Sequence, residues 1–151
     1  MLHVALWQPE IPPNTGNVAR LCAATGAVLH LVGRLGFRLD DRSLRRAGLD
    51  YWKDVDVRRH DDLASFEPAI AECRAFCFTA HAATAYTNVR YQDGDCLLFG
   101  GETFGLPPEV RERYADRSVC IPMPAGKVRS LNLATAVGIA LYEALRQVHG
   151  W

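Results

Sequence analysis

No two cysteines in this chain stand at CxxC spacing, and their total of five is odd. That arithmetic argues against both a disulfide frame and a zinc site. Most of the thiols sit in apolar runs such as AFCFT and DCLLFG, so they read as buried free thiols of a reducing compartment. Lysine is nearly missing: Lys53 and Lys127 are the only two among 17 basic residues. Arginine's planar fork suits phosphate, although a GC-rich genome produces the same bias. No charge of either sign prevails. The net charge is zero, so bulk charge argues for neither nucleic acid nor membrane. No apolar run reaches the 18 residues that a membrane-crossing helix needs. The first strand candidate begins at residue 2, which leaves no room for a signal peptide and points to a cytoplasmic protein.

The usual signatures of nucleotide and metal chemistry are also lacking. Gly100, Gly101 and Gly105 do not make GxGxxG, and GxxxxGK[ST], HExxH and GxSxG do not occur. The histidines, at 3, 30, 60, 81 and 149, are scattered without metal-ligand spacing. Asp40-Asp41 and Asp61-Asp62 are carboxylate pairs, but each precedes a helical pattern, where capping is expected rather than acid/base work. Between positions 34 and 60 lie eight basic residues against five aspartates, a weakly basic surface of mixed sign. Arg42, Arg45 and Arg46 are its candidates for an RNA-binding face.

What is present is an alternation of short apolar runs with helical patterns. Strands are expected at 2–7, 28–33, 55–59, 75–79, 96–100 and 118–122. Helices are expected at 15–25, about 41–47, 62–73, 108–114 and about 131–148. With 151 residues and 49% hydrophobic content, this predicts one α/β domain over 1–151. Its sheet is mainly parallel and flanked by helices. In such sheets ligands bind beyond the carboxyl ends of the strands, which directs attention to the loops found there.

Three of these loops carry polar side chains. After the first strand comes IPPNTGNVAR (11–20), where Asn14 or Thr15 is expected to cap a helix and Arg20 lies about a turn and a half inside it. After the fifth comes GGETFGLP (100–107), whose glycines permit close backbone approach around Glu102. After the sixth comes MPAGKVRSLN (123–132), where prolines keep the chain extended and Ser130 can cap the long last helix. Taken singly, each loop is an ordinary turn with an ordinary cap. Together, Asn14, Arg20, Glu102, Ser130 and Asn132 could meet at one sheet edge. That group is rich in amides and has no strong base, which suits orienting a group transfer on a nucleoside-like ligand and does not suit hydrolysis. On the last helix, Leu133, Val137, Leu141, Leu145 and Val148 form one stripe. Ile139 and Tyr142 fall off it, so a second apolar side is left to face another subunit.

Three stretches, in this order, carry a resemblance: NTGNVAR at 14–20, LLFGGETFGLP at 97–107 and CIPMPAGKVRSLNLATAVGIALYEAL at 120–145. QPEIPPNTGN at 8–17 and DDRSLRRAGLDYW at 40–52 add to it. The chain resembles the SPOUT superfamily of S-adenosylmethionine-dependent RNA methyltransferases. Within it, the match is nearest the small branch that methylates the ribose 2′-hydroxyl of the wobble nucleotide, cytidine or uridine 34, of leucine tRNAs. The resemblance implies a C-terminal deep trefoil knot, S-adenosyl-L-methionine as cofactor, tRNA as partner, no metal and no membrane. It also implies a homodimer through the C-terminal helix region. It carries the cofactor to Phe78, Thr79, Gly100, Gly105, Ile121, Met123, Ser130 and Leu131. Asn14, Arg20, Glu102, Ser130 and Asn132 match the polar active-site positions. Arg20 stays protonated at any working pH, so it is expected to orient the ribose or stabilise alkoxide charge rather than abstract a proton. Phe104 departs from the family, where a polar or basic residue is frequent, and offers a surface on which a base could stack. Two alternatives stand beside the wobble reading. One is the same reaction at another tRNA position or on rRNA; the other is a non-catalytic RNA- or cofactor-binding module.

Overall fold

The computed structural model describes residues 1–40, 42, 46 and 49–151. The expected helix near 41–47, with Asp41 and Arg45, falls largely outside the described residues. Six parallel strands form one sheet: β1 (His3–Trp7), β2 (Val28–Val32), β3 (Val57–His60), β4 (Ala75–Phe78), β5 (Cys96–Phe99) and β6 (Ser118–Val119). Their order is β3-β2-β1-β5-β4-β6. Among the described residues, the helices that position the site and the core are α1 (Pro12–Thr25), α2 (Leu63–Ala69), α3 (Pro108–Arg113) and α4 (Leu133–His149).

The sheet is covered on both faces, which explains why its central strands read as continuous apolar runs. Side chains alternate across the pleat. Val4, Leu6, Leu97 and Phe99 pack with Val18, Val137 and Leu141 of α1 and α4. Ala5, Cys96 and Leu98 point the other way, to Phe66 of α2 and Val110 of α3. The chain leaves β1 toward β2 and β3, then crosses to the other side of β1 for the rest. β1 and β5 therefore meet at a switch in strand order, where a crevice opens beyond their carboxyl ends.

Several element ends differ from expectation, each for a local reason. Helix α1 begins at Pro12, not at residue 15, and neither Asn14 nor Thr15 caps it. Its N-cap is Ile11, without a side-chain hydrogen bond. Two prolines at the first helical positions have preset φ and no N–H to satisfy, so a side-chain cap has little to do. Helix α2 stops at Ala69, one residue after Pro68, well short of 73; Asp62 caps its start as expected, accepting from Ser65 N at 2.8 Å. Strand β6 is only two residues long, followed by a single bridge from Cys120 to Ala85 before Pro122, which cannot donate to a ladder. Cys22, Cys77 and Cys96 are buried, whereas Cys73 and Cys120 are only partly so. Burial pushes Cys22 up to about 12 and Cys77 up to about 11, which keeps both protonated and unreactive.

Three of the five histidines come together in space. His3, His30 and His60 lie on β1, β2 and β3 as a stack, with ring centroids 5.2 and 5.1 Å apart. His30 uses both ring nitrogens, meeting His3 Nδ1 at 2.9 Å and His60 Nε2 at 2.9 Å. A neutral ring offers one donor and one acceptor, and the middle ring must use both, so the chain closes only while His30 is uncharged. Burial, and then the neighbouring His3 and His60, lower His30 to about 3; burial also lowers His3 and His60. A folded pKa below the unfolded value of about 6.5 means that the unfolded chain takes up more protons as pH falls. Stability is thus complete above about pH 6.5 and drains away from there toward about pH 3. Urea melts at pH 7 and pH 5 should show the loss. His30→Leu should flatten the difference, and an unchanged slope in that variant would clear the stack of responsibility.

Candidate active site

A cavity of about 600 Å³ opens at the carboxyl ends of β1, β4, β5 and β6. Asn14, Phe78, Thr79, Gly100, Glu102, Gly105, Ile121, Met123, Ser130, Leu131 and Asn132 all line it. Eleven of the twelve residues singled out in the sequence therefore meet at one place. The twelfth, Arg20, does not join them. It sits six residues beyond Asn14 on α1, which turns it to another side of the helix. Its guanidinium lies exposed over the Tyr51 ring, 5.3 Å from the centroid.

The cavity is made by close approach of three loops. A side chain on Gly100 would lie 2.3 Å from the carbonyl carbon of Gly105, and one on Gly101 would lie 2.6 Å from the Gln8 carbonyl oxygen. Only glycine lets the β5–α3 loop fold back on itself and against the end of β1. Gly105 turns the loop in the left-handed region at φ 63° and closes it by donating to the Gly101 carbonyl at 3.0 Å.

Glu102 joins that loop to the next. One carboxylate oxygen accepts from Glu10 N at 2.8 Å. The other accepts from Ile11 N at 2.6 Å and from Asn14 Nδ2 at 3.2 Å. The carboxylate thus sits at the N-terminus of α1, where its charge also suits the helix dipole. Glu10 returns the clamp: its carboxylate accepts from Thr103 N at 3.1 Å and Thr103 Oγ1 at 2.9 Å. The link continues to the last helix. Asn14 Oδ1 accepts from Asn132 Nδ2 at 3.0 Å, and Asn132 Oδ1 accepts from Thr135 N at 3.2 Å. The cap of α4 is therefore Asn132, not Ser130.

The two ends of this relay fix its direction. Glu102 can only accept, so Asn14 must present its amide nitrogen to it. Thr135 N can only donate, so Asn132 must present its oxygen there. Both amide orientations follow from these constraints. Asn14, 7% exposed, has no room to choose otherwise.

Other residues in or beside the cavity were not singled out in the sequence as site residues. Glu10 lay within the stretch QPEIPPNTGN, but nothing in its spacing shows that it would reach Thr103. Arg111 is the more telling case. It lines the cavity, and its Nε is buried with no hydrogen-bond partner among the described residues. Arg129 and His81 line the cavity as well. Among the described residues no cluster of His, Cys, Asp or Glu could hold a metal ion, and no helix is long and apolar enough to cross a membrane.

Comparison with known proteins reaches the same site by another route. The family model described as the SpoU rRNA Methylase family matches residues 1–142. The tRNA (cytidine(34)-2′-O)-methyltransferase of Escherichia coli (strain K12) is 48% identical over 149 residues, which cover 98% of this chain and 94% of that protein. A solved structure concerned with the 2-OH methylation of C/U34 on tRNA matches with a TM-score of 0.95 and 53% identity, over 100% of this chain and 98% of that one. An AdoMet-bound rRNA methyltransferase from Sinorhizobium meliloti matches with a TM-score of 0.86 and 30% identity, over 96% of this chain and 56% of that one. A sheet edge at which three loops are clasped by one carboxylate and two amides is thus carried by a chain that belongs to the SpoU rRNA methylase family.

Proposed function

We propose that this protein transfers a methyl group from S-adenosyl-L-methionine to the ribose 2′-hydroxyl of the wobble nucleotide of leucine tRNAs. The observation that carries the reading is the junction of Glu102, Asn14 and Asn132 at the mouth of a nucleoside-sized cavity. It is supported by near full-length identity of 48% to a protein named for methylation at cytidine 34.

The cavity fits the cofactor. Phe78, Ile121, Leu131 and Leu133 give it apolar walls, and Gly100 leaves backbone exposed where a side chain would clash. The unpartnered Arg111 Nε offers a positive group for an anionic end such as an amino-acid carboxylate. When bound, the cofactor supplies an electrophilic methyl on a sulfonium. What remains for the protein is positioning in line with the attacking oxygen. Glu102 does this as a clamp, not as a base, because its oxygens are already engaged by three donors. Ser130 and Asn132 stand where the α4 entrance meets the cavity and hold the loop and the acceptor hydroxyl.

The protein is expected to act as a homodimer. Helix α4 buries Leu133, Val137, Leu141 and Leu145 against its own sheet and leaves Tyr142 45% exposed beside Trp151. Arg20, on the helix that packs against α4, would then orient the ribose or its phosphate across that interface. Return of the chain from edge strand β6 to α4, which packs on α1 and β5, is the path a C-terminal knot would need. The test is incubation with labelled S-adenosylmethionine and total RNA, followed by mapping of the labelled nucleotide. Label at the wobble ribose of leucine tRNAs is the expected result; label confined to rRNA or another tRNA position, or no label at all, refutes the reading.

A further inference from the structure

We propose that Phe104 is a stacking platform for a nucleobase of the substrate RNA, held out at the mouth of the cleft before any RNA arrives. The inference rests on the methyltransferase reading and adds a recognition element to it.

Phe104 is 87% exposed, more than any other large apolar side chain among the described residues. It is not loose. The residue before it, Thr103, is fixed to the Glu10 carboxylate by its amide and its hydroxyl. Glu102, one position earlier, is anchored on the amides of Glu10 and Ile11. The residue after it, Gly105, closes the turn on Gly101. Glu102 and Thr103 are thereby locked on the β1–α1 loop and the turn 101–105 is closed on itself, with the ring in that turn. An apolar ring that merely lacked a core to enter would not need both flanks pinned.

The ring lines the cavity that holds the proposed reaction, so whatever brings a ribose to the cleft passes it. Single-stranded bases are recognised by unstacking and lying on an aromatic face, and every base has such a face. The surroundings favour a polyanion. Arg129 lines the same cavity. Arg34, Arg38 and Arg59 line a second, open cavity beyond the ends of β2 and β3, together with Asp40, which pairs with Arg38 at 3.1 Å, and Asp61. The segment carrying Arg34 and Arg38 abuts the same Glu10 that holds Thr103: a side chain on Gly36 would lie 2.8 Å from the Glu10 Cα. Arg129, Arg34 and Arg59 are guanidinium groups these cavities offer to the phosphates flanking a base on Phe104.

The test uses the full chain with Phe104→Ala, Phe104→Leu and Phe104→Tyr. Steady-state methylation of leucine tRNA should show KM for tRNA raised about tenfold in the alanine and leucine variants, kcat within about twofold of the wild type, and recovery in the tyrosine variant. Calorimetry should give the same S-adenosylmethionine affinity for all. Anticodon stem-loops with 2-aminopurine at the wobble position or at either neighbour should be quenched at one of these positions by the wild type and not by Phe104→Ala. Unchanged KM and quenching in Phe104→Ala overturn the proposal. So does an equal loss of cofactor affinity, which would make the ring part of the cofactor site. So does a shift to lower mass in sedimentation, which would make it a subunit contact. A wild-type protein that methylates no tRNA refutes the proposed function instead. The quenching arm then still decides whether Phe104 stacks on RNA.

Discussion

Glu102→Ala is expected to lower methyl transfer by two orders of magnitude or more while the protein stays folded. Three donors lose their acceptor at once: Glu10 N, Ile11 N and Asn14 Nδ2. Ile11 is 46% exposed, so water can replace the carboxylate at its amide. The other two donors are less exposed, so the stability cost should be about 2–4 kcal/mol, two unmade hydrogen bonds in the lower part of their range. The loss in rate has a separate cause: Glu102 fixes the distance between two loops of the cleft, and a misplacement of about 1 Å can cost about a hundredfold in a positioned reaction. Glu102→Gln should recover only part of the rate. Its carbonyl, set at the Oε2 position, can keep Ile11 N and Asn14 Nδ2, but its amide nitrogen would then face Glu10 N, nitrogen against nitrogen. Single-turnover rates and thermal melts on the two variants read the two effects separately. A glutamine variant at wild-type rate would show that the negative charge at the start of α1 is dispensable.

The sheet was legible because its strands are buried on both faces. Runs such as CLLF cannot sit at a surface, and all six expected strands appear, although β3 begins at Val57 rather than 55 and β6 ends at Val119 rather than 122. The order of those strands was not legible. Nothing in the apolar runs says that β1 pairs with both β2 and β5, and so nothing places His3, His30 and His60 side by side across residues 27 and 30 apart. The site was legible to the extent that its residues lie in loops after strands, which the parallel architecture gathers at one edge. That legibility did not reach the position of Arg20 outside the cavity, where the deciding quantity is rotation around a helix. It failed again over the caps. Asn14, Ser130 and Asn132 are all good capping residues, and only the contacts of Glu102 and Thr135 decide which of them caps and which is tied to another loop. Arg111 lay in plain view as one more helical arginine; that its Nε has no partner among the described residues is a property of the folded cavity alone.

Asn132→Asp is expected to preserve the α4 cap and abolish most of the activity. Aspartate is as good an N-cap as asparagine, and one of its oxygens can still accept from Thr135 N. The other oxygen then faces Asn14 Oδ1 at the position where an amide nitrogen now donates over 3.0 Å. Asn14 can answer only by turning its amide over, and that places its oxygen against Glu102 Oε2, where its nitrogen now sits at 3.2 Å. One acceptor–acceptor contact must therefore exist at either end of Asn14, and a second carboxylate is added near the first. Asn132→Ser removes the amide link without adding charge, so it should retain more activity than the aspartate variant while capping the helix comparably. Circular dichroism should find α4 intact in both variants. Transfer rates should fall in the order wild type, serine, aspartate, with the aspartate variant about a hundredfold down. Equal rates for serine and aspartate would mean that the polarity of the Glu102–Asn14–Asn132 relay is immaterial and that Asn132 serves the helix alone.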